Sequence, residues 1–202
     1  MDECVRRYDV LARELLATPH DGVRLVGVDG CGGAGKTTFA ARLSRAAHDA
    51  PVVHTDDFAS FDEPTQWWPR MLQELVEPLL RGEPASYRPY DWVRRRPSEG
   101  TLTVQPAPLV VIEGVGATRR AWRDALVRRI WIDAPREERL RRGVERDGEQ
   151  MREFWTWWMA EEDDYVRAEQ PLAHADFVVD GAPTMAHDPD TEYVEIELSA
   201  PR

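Results

Sequence analysis

The residues with the most evident chemistry form the segment Val26-Gly27-Val28-Asp29-Gly30-Cys31-Gly32-Gly33-Ala34-Gly35-Lys36-Thr37-Thr38. Gly30, Gly35, Lys36 and Thr37 satisfy the spacing G-x-x-x-x-G-K-S/T, with an apolar run at 23–28 before them and the helical pattern Phe39-Ala40-Ala41-Arg42-Leu43 after. That strand, loop and helix context gives the pattern its meaning. Gly30, Gly32, Gly33 and Gly35 lack a Cβ, so successive backbone N–H groups can turn inward around an anion. The positive end of the following helix adds to the same field. Lys36 then reaches the outer phosphates of a nucleoside triphosphate and the Thr37 hydroxyl ligates Mg²⁺, with Gly30, Cys31, Gly32, Gly33, Ala34, Gly35 and Thr38 completing the cradle. A Gly-rich turn without a ligand is the plainer alternative, and Lys36-Thr37 in register weighs against it. At Cys31 two readings stand: a thiol activated by the N–H cluster, or a small residue chosen to fit.

Carboxylates come next. Asp56 and Asp57 follow a short apolar strand at 51–54, where open α/β sheets place their ligands, and one of them is suited to accept a proton from a substrate hydroxyl. The competing reading makes Asp56 a turn or helix cap. Glu113 ends the strongest buried-strand signal, Leu109-Val110-Val111-Ile112, and reads as an acid that helps to position Mg²⁺. Tyr90 and Trp92 interleave with Arg88, Arg94, Arg95 and Arg96, a combination that suits a substrate loop with rings to stack and guanidiniums to hold anions. Arg136, Arg139, Arg141, Arg142 and Arg146 crowd one helical segment; most should be salt-bridged to Glu137, Glu138 and Glu145, with one or two free to balance charge on a transferred phosphoryl group.

The elements that must hold these groups follow from periodicity. A helix is expected over residues 2–17, from Val5, Tyr8, Leu11, Ala12, Leu15 and Leu16. Strands are expected at 23–28, 51–54, 101–104, 108–113, 129–133 and 176–180, and helices from the phosphate loop to about 50, over 136–147 and over about 150–168. An amphipathic helix over 67–80 should be bent or ended by Pro78. The aromatics at 154–158 should pack the core, the lid or a surface between copies of the chain. The Pro- and acid-rich tail at 185–202 reads as an edge strand around 193–198 or as a disordered segment.

Length and composition bound the class. The chain has 202 residues, which suits one α/β domain, and 31% of them are charged, which leaves no transmembrane candidate. A net charge of −11 disfavours coating of nucleic acid, and two cysteines at positions 4 and 31 give neither a disulfide framework nor a zinc site. Without a secretory pattern at residues 1–7, cytoplasmic residence is expected, with no membrane partner.

Several stretches together resemble the uridine kinase and phosphoribulokinase family of P-loop small-molecule kinases, which includes the bacterial type of pantothenate kinase. They are Gly30 to Thr38, Asp56-Asp57-Phe58, Phe61-Asp62-Glu63-Pro64, Pro89-Tyr90-Asp91-Trp92, Val111-Ile112-Glu113-Gly114, Arg141 to Asp147 and Ala175 to Val179, in family order across 22–181. The resemblance implies a three-layer α/β P-loop NTPase sandwich with a mostly parallel sheet, a lid at about 137–168 and an acceptor-binding insertion at about 58–100, within one kinase domain at 1–184. It implies ATP and Mg²⁺, a small alcohol or nucleoside acceptor, Asp56 as the base, Asp62 on the ribose hydroxyls, Tyr90 in the nucleoside pocket, and Arg142 and Arg146 as lid arginines. Arg95 stands where uridine kinases carry a pyrimidine-reading histidine, and the lid continues Gly148-Glu149-Gln150 in place of Arg-Gly-Arg. A pantothenate-like or other anionic alcohol is the alternative acceptor, and a regulatory ATPase with a protein partner is the alternative outside kinases.

Overall fold

The structure is a computed structural model that describes residues 3–61 and 66–197. The first elements are β1 (Glu3–Arg7), α1 (Tyr8–Ala17), β2 (Arg24–Asp29), α2 (Lys36–Ala46) and β3 (Val52–His54). The insertion carries α3 (Trp68–Met71), α4 (Glu77–Leu80), β4 (Ala85–Tyr87), β5 (Tyr90–Asp91), β6 (Arg96–Pro97) and β7 (Leu102–Val104). The chain then runs through β8 (Leu109–Glu113), β9 (Leu126–Asp133), α5 (Arg136–Asp147), α6 (Arg152–Glu169), β10 (Phe177–Asp180) and β11 (Glu192–Ile196).

The main sheet has the order β1-β11-β10-β9-β2-β8-β3, parallel from β10 to β3 and antiparallel at β11 and β1. It is the expected α/β sheet, mostly parallel and covered on both faces. Because strand side chains alternate, Leu109 and Val111 of β8 join Val26 and Val28 against Tyr8, Leu15, Phe39 and Leu43 of α1 and α2. Val110 and Ile112 join Leu25 against Met71, Leu75, Leu79 and Trp122 on the other face. Double burial explains why β8 reads as an unbroken apolar run, since neither face meets water.

Two expectations change and a third is narrowed. The first helix begins only at Tyr8, because residues 3–7 pair as a strand with β11, Val5 opposite Val194 and Arg6 opposite Tyr193. Helical spacing at 5, 8 and 11 is a local signal, whereas the partner strand lies at the other end of the chain. For the same reason β11 is no edge strand: it is hydrogen-bonded on both sides, and Tyr193 and Val194 are buried. Pro78 does not end its helix. A π turn at Leu72–Val76 precedes it, with the Glu77 N–H reaching Leu72 O, and the wider turn relieves the clash that a proline ring makes with the carbonyl four residues back. Among the described residues no helix is long and apolar enough to cross a membrane.

The lid helices α5 and α6 cross at Gly143, where a Cβ would fall inside the van der Waals envelope of the Trp155 ring. Gly143→Ala should therefore cost about 1–3 kcal/mol by overpacking and lower Tm by several degrees in thermal denaturation. An unchanged Tm would mean that the two helices have room to separate.

Candidate active site

The phosphate loop joins β2 to α2, and three of its glycines are required by their backbone. Gly30 (φ 148°), Gly33 (φ 77°) and Gly35 (φ 105°) occupy the left-handed region, and a Cβ on Gly33 would meet the Arg139 carbonyl at 2.5 Å. Lys36, buried at the first turn of α2, bridges the loop by donating from Nζ to Cys31 O at 3.0 Å. Cys31 itself is buried, and burial pushes its thiol up to about 12, so the activated-thiol reading gives way to the small-residue one.

Asp29, fully buried at the end of β2, is the hub beneath the loop. Its Oδ1 accepts from the N–H groups of Gly30 at 2.7 Å and Gly116 at 3.0 Å. Its Oδ2 accepts from Thr118 N–H at 2.9 Å, Thr118 Oγ1 at 2.7 Å and the Tyr165 hydroxyl at 2.6 Å. One carboxylate thus ties the phosphate loop to the segment after β8 and to lid helix α6.

Beyond β3 the chain makes a tight turn at Thr55–Asp57 that separates the two adjacent acids. Asp57 accepts from the Tyr87 hydroxyl at 3.0 Å and belongs to the wall of the insertion. Asp56 lines the cleft with Lys36 and Glu113, and its backbone carbonyl is held by the Trp92 indole N–H at 3.0 Å. The Asp56 carboxyl is open to the cleft, but the protein enclosing it withdraws bulk water and raises its pKa; Lys36 opposes that rise and Glu113 adds to it.

Glu113 ends β8 beside both groups. Its Oε1 accepts from Thr37 Oγ1 at 3.1 Å and lies 2.5 Å from His54 Nδ1. That bond raises the His54 pKa above its ordinary 6.5, with partial burial opposing. Glu113 Oε2 is buried and has no hydrogen-bond partner among the described residues. A buried carboxylate oxygen next to a threonine hydroxyl is a donor set that fits Mg²⁺, which takes one or two protein oxygens and fills its shell with phosphates and water. No cluster of three or more His, Cys, Asp or Glu side chains suited to a metal is present among the described residues.

The lid closes over the loop from the other side. Glu162 of α6, buried, accepts from Gly32 N–H at 2.7 Å and pairs with Arg139 at 3.3 Å. Arg142 reaches Gly33 O at 3.2 Å and Gly181 O at 2.9 Å, so it grips the loop backbone. Arg146 lines the cleft, pairs with Asp147 at 2.7 Å and lies over the Trp155 ring. Arg141 is spent on Glu138 and Glu145, and Arg152 on Glu149.

Between lid and insertion runs a cleft of about 930 Å³ that contains Gly32 to Thr38, Asp56, Glu113, Arg142 and Arg146. Gly30 and Cys31 lie behind its wall. Tyr90 packs edge-on against Trp92 at 5.1 Å and Arg95 lies 4.5 Å over the Phe61 ring; neither lines the cleft. Asp62 lies outside the described residues. Asp29, His54, Trp92 and Glu162 carry this geometry, yet only Trp92 stood out in sequence. Glu162 sits in an acidic run, 161–164, whose members look alike before folding.

No family model matches the chain. It is 22% identical over 139 residues to the uridine kinase of Borrelia duttonii, covering 62% of this chain and 68% of that one. It is also 29% identical over 158 residues to inorganic pyrophosphatase TTM2 of Arabidopsis thaliana, which is 72% of this chain and 23% of that much longer protein. The solved structure of a possible uridine kinase from Bacillus stearothermophilus superposes with a TM-score of 0.63 at 23% identity, over 85% of this chain and 96% of that one. The chain resembles the uridine kinase-like P-loop kinases. The resemblance expected from the motifs is borne out, and in this chain the glycine loop, the acid after β3 and helices α5 and α6 surround one cleft.

Asp29 and His54 each give a measurable outcome. Asp29→Asn replaces an acceptor of N–H and O–H donors with an amide, half of which repels them, and should cost about 2–3 kcal/mol in chemical denaturation. For His54 the folded pKa lies above the unfolded one, so its stabilisation is complete below about pH 6.5 and is lost as pH rises through the raised value. The Tm difference between the native chain and His54→Gln should shrink from pH 5.5 to 8.5; a difference that grows would reverse the assignment.

Proposed function

We propose that the chain is a kinase that transfers the γ-phosphoryl group of ATP, with Mg²⁺, to a primary hydroxyl of a small metabolite, with a nucleoside-like alcohol as the leading acceptor. The observation that carries this reading is the meeting of Lys36, Thr37, Glu113 and Asp56 on one cleft, with Glu113 Oε2 buried beside the phosphate loop and unpartnered among the described residues. The uridine kinase relative and the shared fold support a P-loop kinase.

Lys36 and the loop amides bind the phosphates. Thr37 and Glu113 would hold Mg²⁺, which when bound neutralises charge on the phosphate oxygens. Asp56 accepts the hydroxyl proton as the acceptor oxygen bonds to the γ-phosphorus and the bond to the departing nucleoside diphosphate breaks. Its raised pKa makes it a stronger proton acceptor than an ordinary aspartate. Arg146 acts on Asp56 and lines the same cleft, so it is the better candidate for balancing charge at the moving group. Arg142, tied to Gly33 O and Gly181 O, keeps the lid seated. Beyond the loop the cleft continues between Arg42, Asp180, Pro183 and His187, room for the nucleoside part of the donor. An anionic acceptor is disfavoured, since Arg94 pairs with Asp91 and Arg96 with Glu99, and neither lines the cleft.

The test is a pair of variants. Lys36→Met should abolish binding of a non-hydrolysable ATP analogue. Asp56→Asn should keep that binding and lower kcat about 100- to 10,000-fold. Near-normal turnover in Asp56→Asn would remove the base.

A further inference from the structure

Resting on that kinase reading, we propose that His54 is a positioning residue for the metal site: its ring N–H fixes one oxygen of the Glu113 carboxylate and so turns the other toward the ion. The register of the sheet brings the two side chains together. β3 pairs with β8 in parallel, with His54 opposite Glu113 at the last position of each strand. Side chains two apart on a strand share a face, and Val52 and Val111 pack in the core beneath α2, so His54 and Glu113 both point to the side on which α2 begins. Thr37, in the first turn of α2, completes the group.

The hydrogen bonds on Glu113 are one-sided. Oε1 takes both donors, His54 Nδ1 at 2.5 Å and Thr37 Oγ1 at 3.1 Å, while Oε2 is buried and has no partner among the described residues. A carboxylate has two equivalent oxygens on a soft terminal torsion, so without such a bias either oxygen serves in either place. Because an ionised carboxylate only accepts, the proton of the histidine bond sits on Nδ1.

The two donors differ in what else they do. Thr37 lines the cleft and is itself a candidate ligand. His54 does not line the cleft, its backbone is fixed by pairing with β8, and its side chain is 45% exposed where that of Glu113 is 5% exposed. It therefore reaches the buried carboxylate from outside the space that an ion and phosphates would fill, and it acts only through Glu113. A partner of this kind orders the ligand before the ion arrives, and losing one costs about 10- to 100-fold in metal affinity. The same short strand also leads to the proposed base, since the tight turn that follows His54 delivers Asp56 to the cleft.

The experiment measures binding of Mn²⁺, a paramagnetic stand-in for Mg²⁺, to the complex with a non-hydrolysable ATP analogue. Free Mn²⁺ is read by electron paramagnetic resonance, with protein in excess over the analogue. His54→Leu removes the donor. His54→Asn keeps one, because the Asn amide nitrogen stands the same number of bonds from Cα as Nδ1. Mn²⁺ affinity should fall about 10- to 100-fold in His54→Leu and stay within about threefold of the native value in His54→Asn. Affinity for the analogue in EDTA should be unchanged in both, a separation that a merely structural ion pair would not produce. Native Mn²⁺ affinity in His54→Leu overturns the proposal. So does a loss in His54→Asn as large as in His54→Leu, since the ring and not its donor would then matter. A fall in analogue affinity in EDTA that matches the fall for Mn²⁺ also overturns it, because it marks damage to the phosphate loop. Should His54→Leu fail to fold, His54→Val, a strand former without a donor, takes its place. If the native chain binds the analogue in a Lys36-dependent way and the donor-free variant matches it in Mn²⁺ affinity, this inference falls alone. If the native chain binds no analogue, the kinase reading falls and takes this one with it.

Discussion

The architecture of the cleft depends on a buried anion with nowhere to go but to its hydrogen bonds. Asp29 has no exposure to water, and among the hydrogen bonds of the described residues backbone N–H groups and two hydroxyls hold it. Stranding such a charge is expensive, so the groups that satisfy it are held to one arrangement. Those groups come from the first glycine of the phosphate loop, from the segment after β8 and from lid helix α6. The position of the loop and the closure of the lid are therefore coupled through one carboxylate, before any ligand is considered.

A second carboxylate extends that coupling. Glu162 comes from the same helix and caps the Gly32 amide, while Arg142 takes the Gly33 carbonyl from α5. Backbone groups that a tight glycine turn leaves exposed are thus met by lid side chains, which explains why the lid follows the loop so closely. Gly33 permits the approach, since any side chain there would collide with Arg139. The lid and the loop line the cleft together, with the insertion facing them at one end and Arg42, Asp180, Pro183 and His187 at the other.

The cleft is divided by polarity. Lys36, Glu113, Asp56 and Arg146 line it, and Glu113 is shared between Thr37 and His54 and leaves one oxygen unpaired among the described residues. Partial removal from water strengthens every interaction there and raises the Asp56 pKa. Outward from these groups the wall turns aromatic, and Trp92, Trp155 and Trp158 aim their only donors back into the protein. The same Trp92 that offers a ring to the cleft fixes the backbone of Asp56, so the ring surface and the proposed base are positioned by a single side chain.

Much of this protein was legible in its sequence because the relevant signals are local. The glycine spacing with Lys36 and Thr37, the continuous apolar run of β8, and the helix of α5 each follow from contacts within a few residues, and each stands where it was expected. Other features depend on partners far along the chain. Residues 3–7 become a strand only because β11 offers an unpaired edge; Asp57 is told apart from Asp56 only by the Tyr87 hydroxyl; Glu162 emerges from an acidic run only because Gly32 lies opposite. Arg95 sits at a motif position and still does not line the cleft, because a nearby ring offers its guanidinium a face. Sequence alone determined which groups can hold a polyphosphate, since backbone freedom and charge are properties of the segment itself. Tertiary structure decided which acid, which arginine and which rings surround the transfer point, because a side chain's direction is set by the neighbours that satisfy or exclude it.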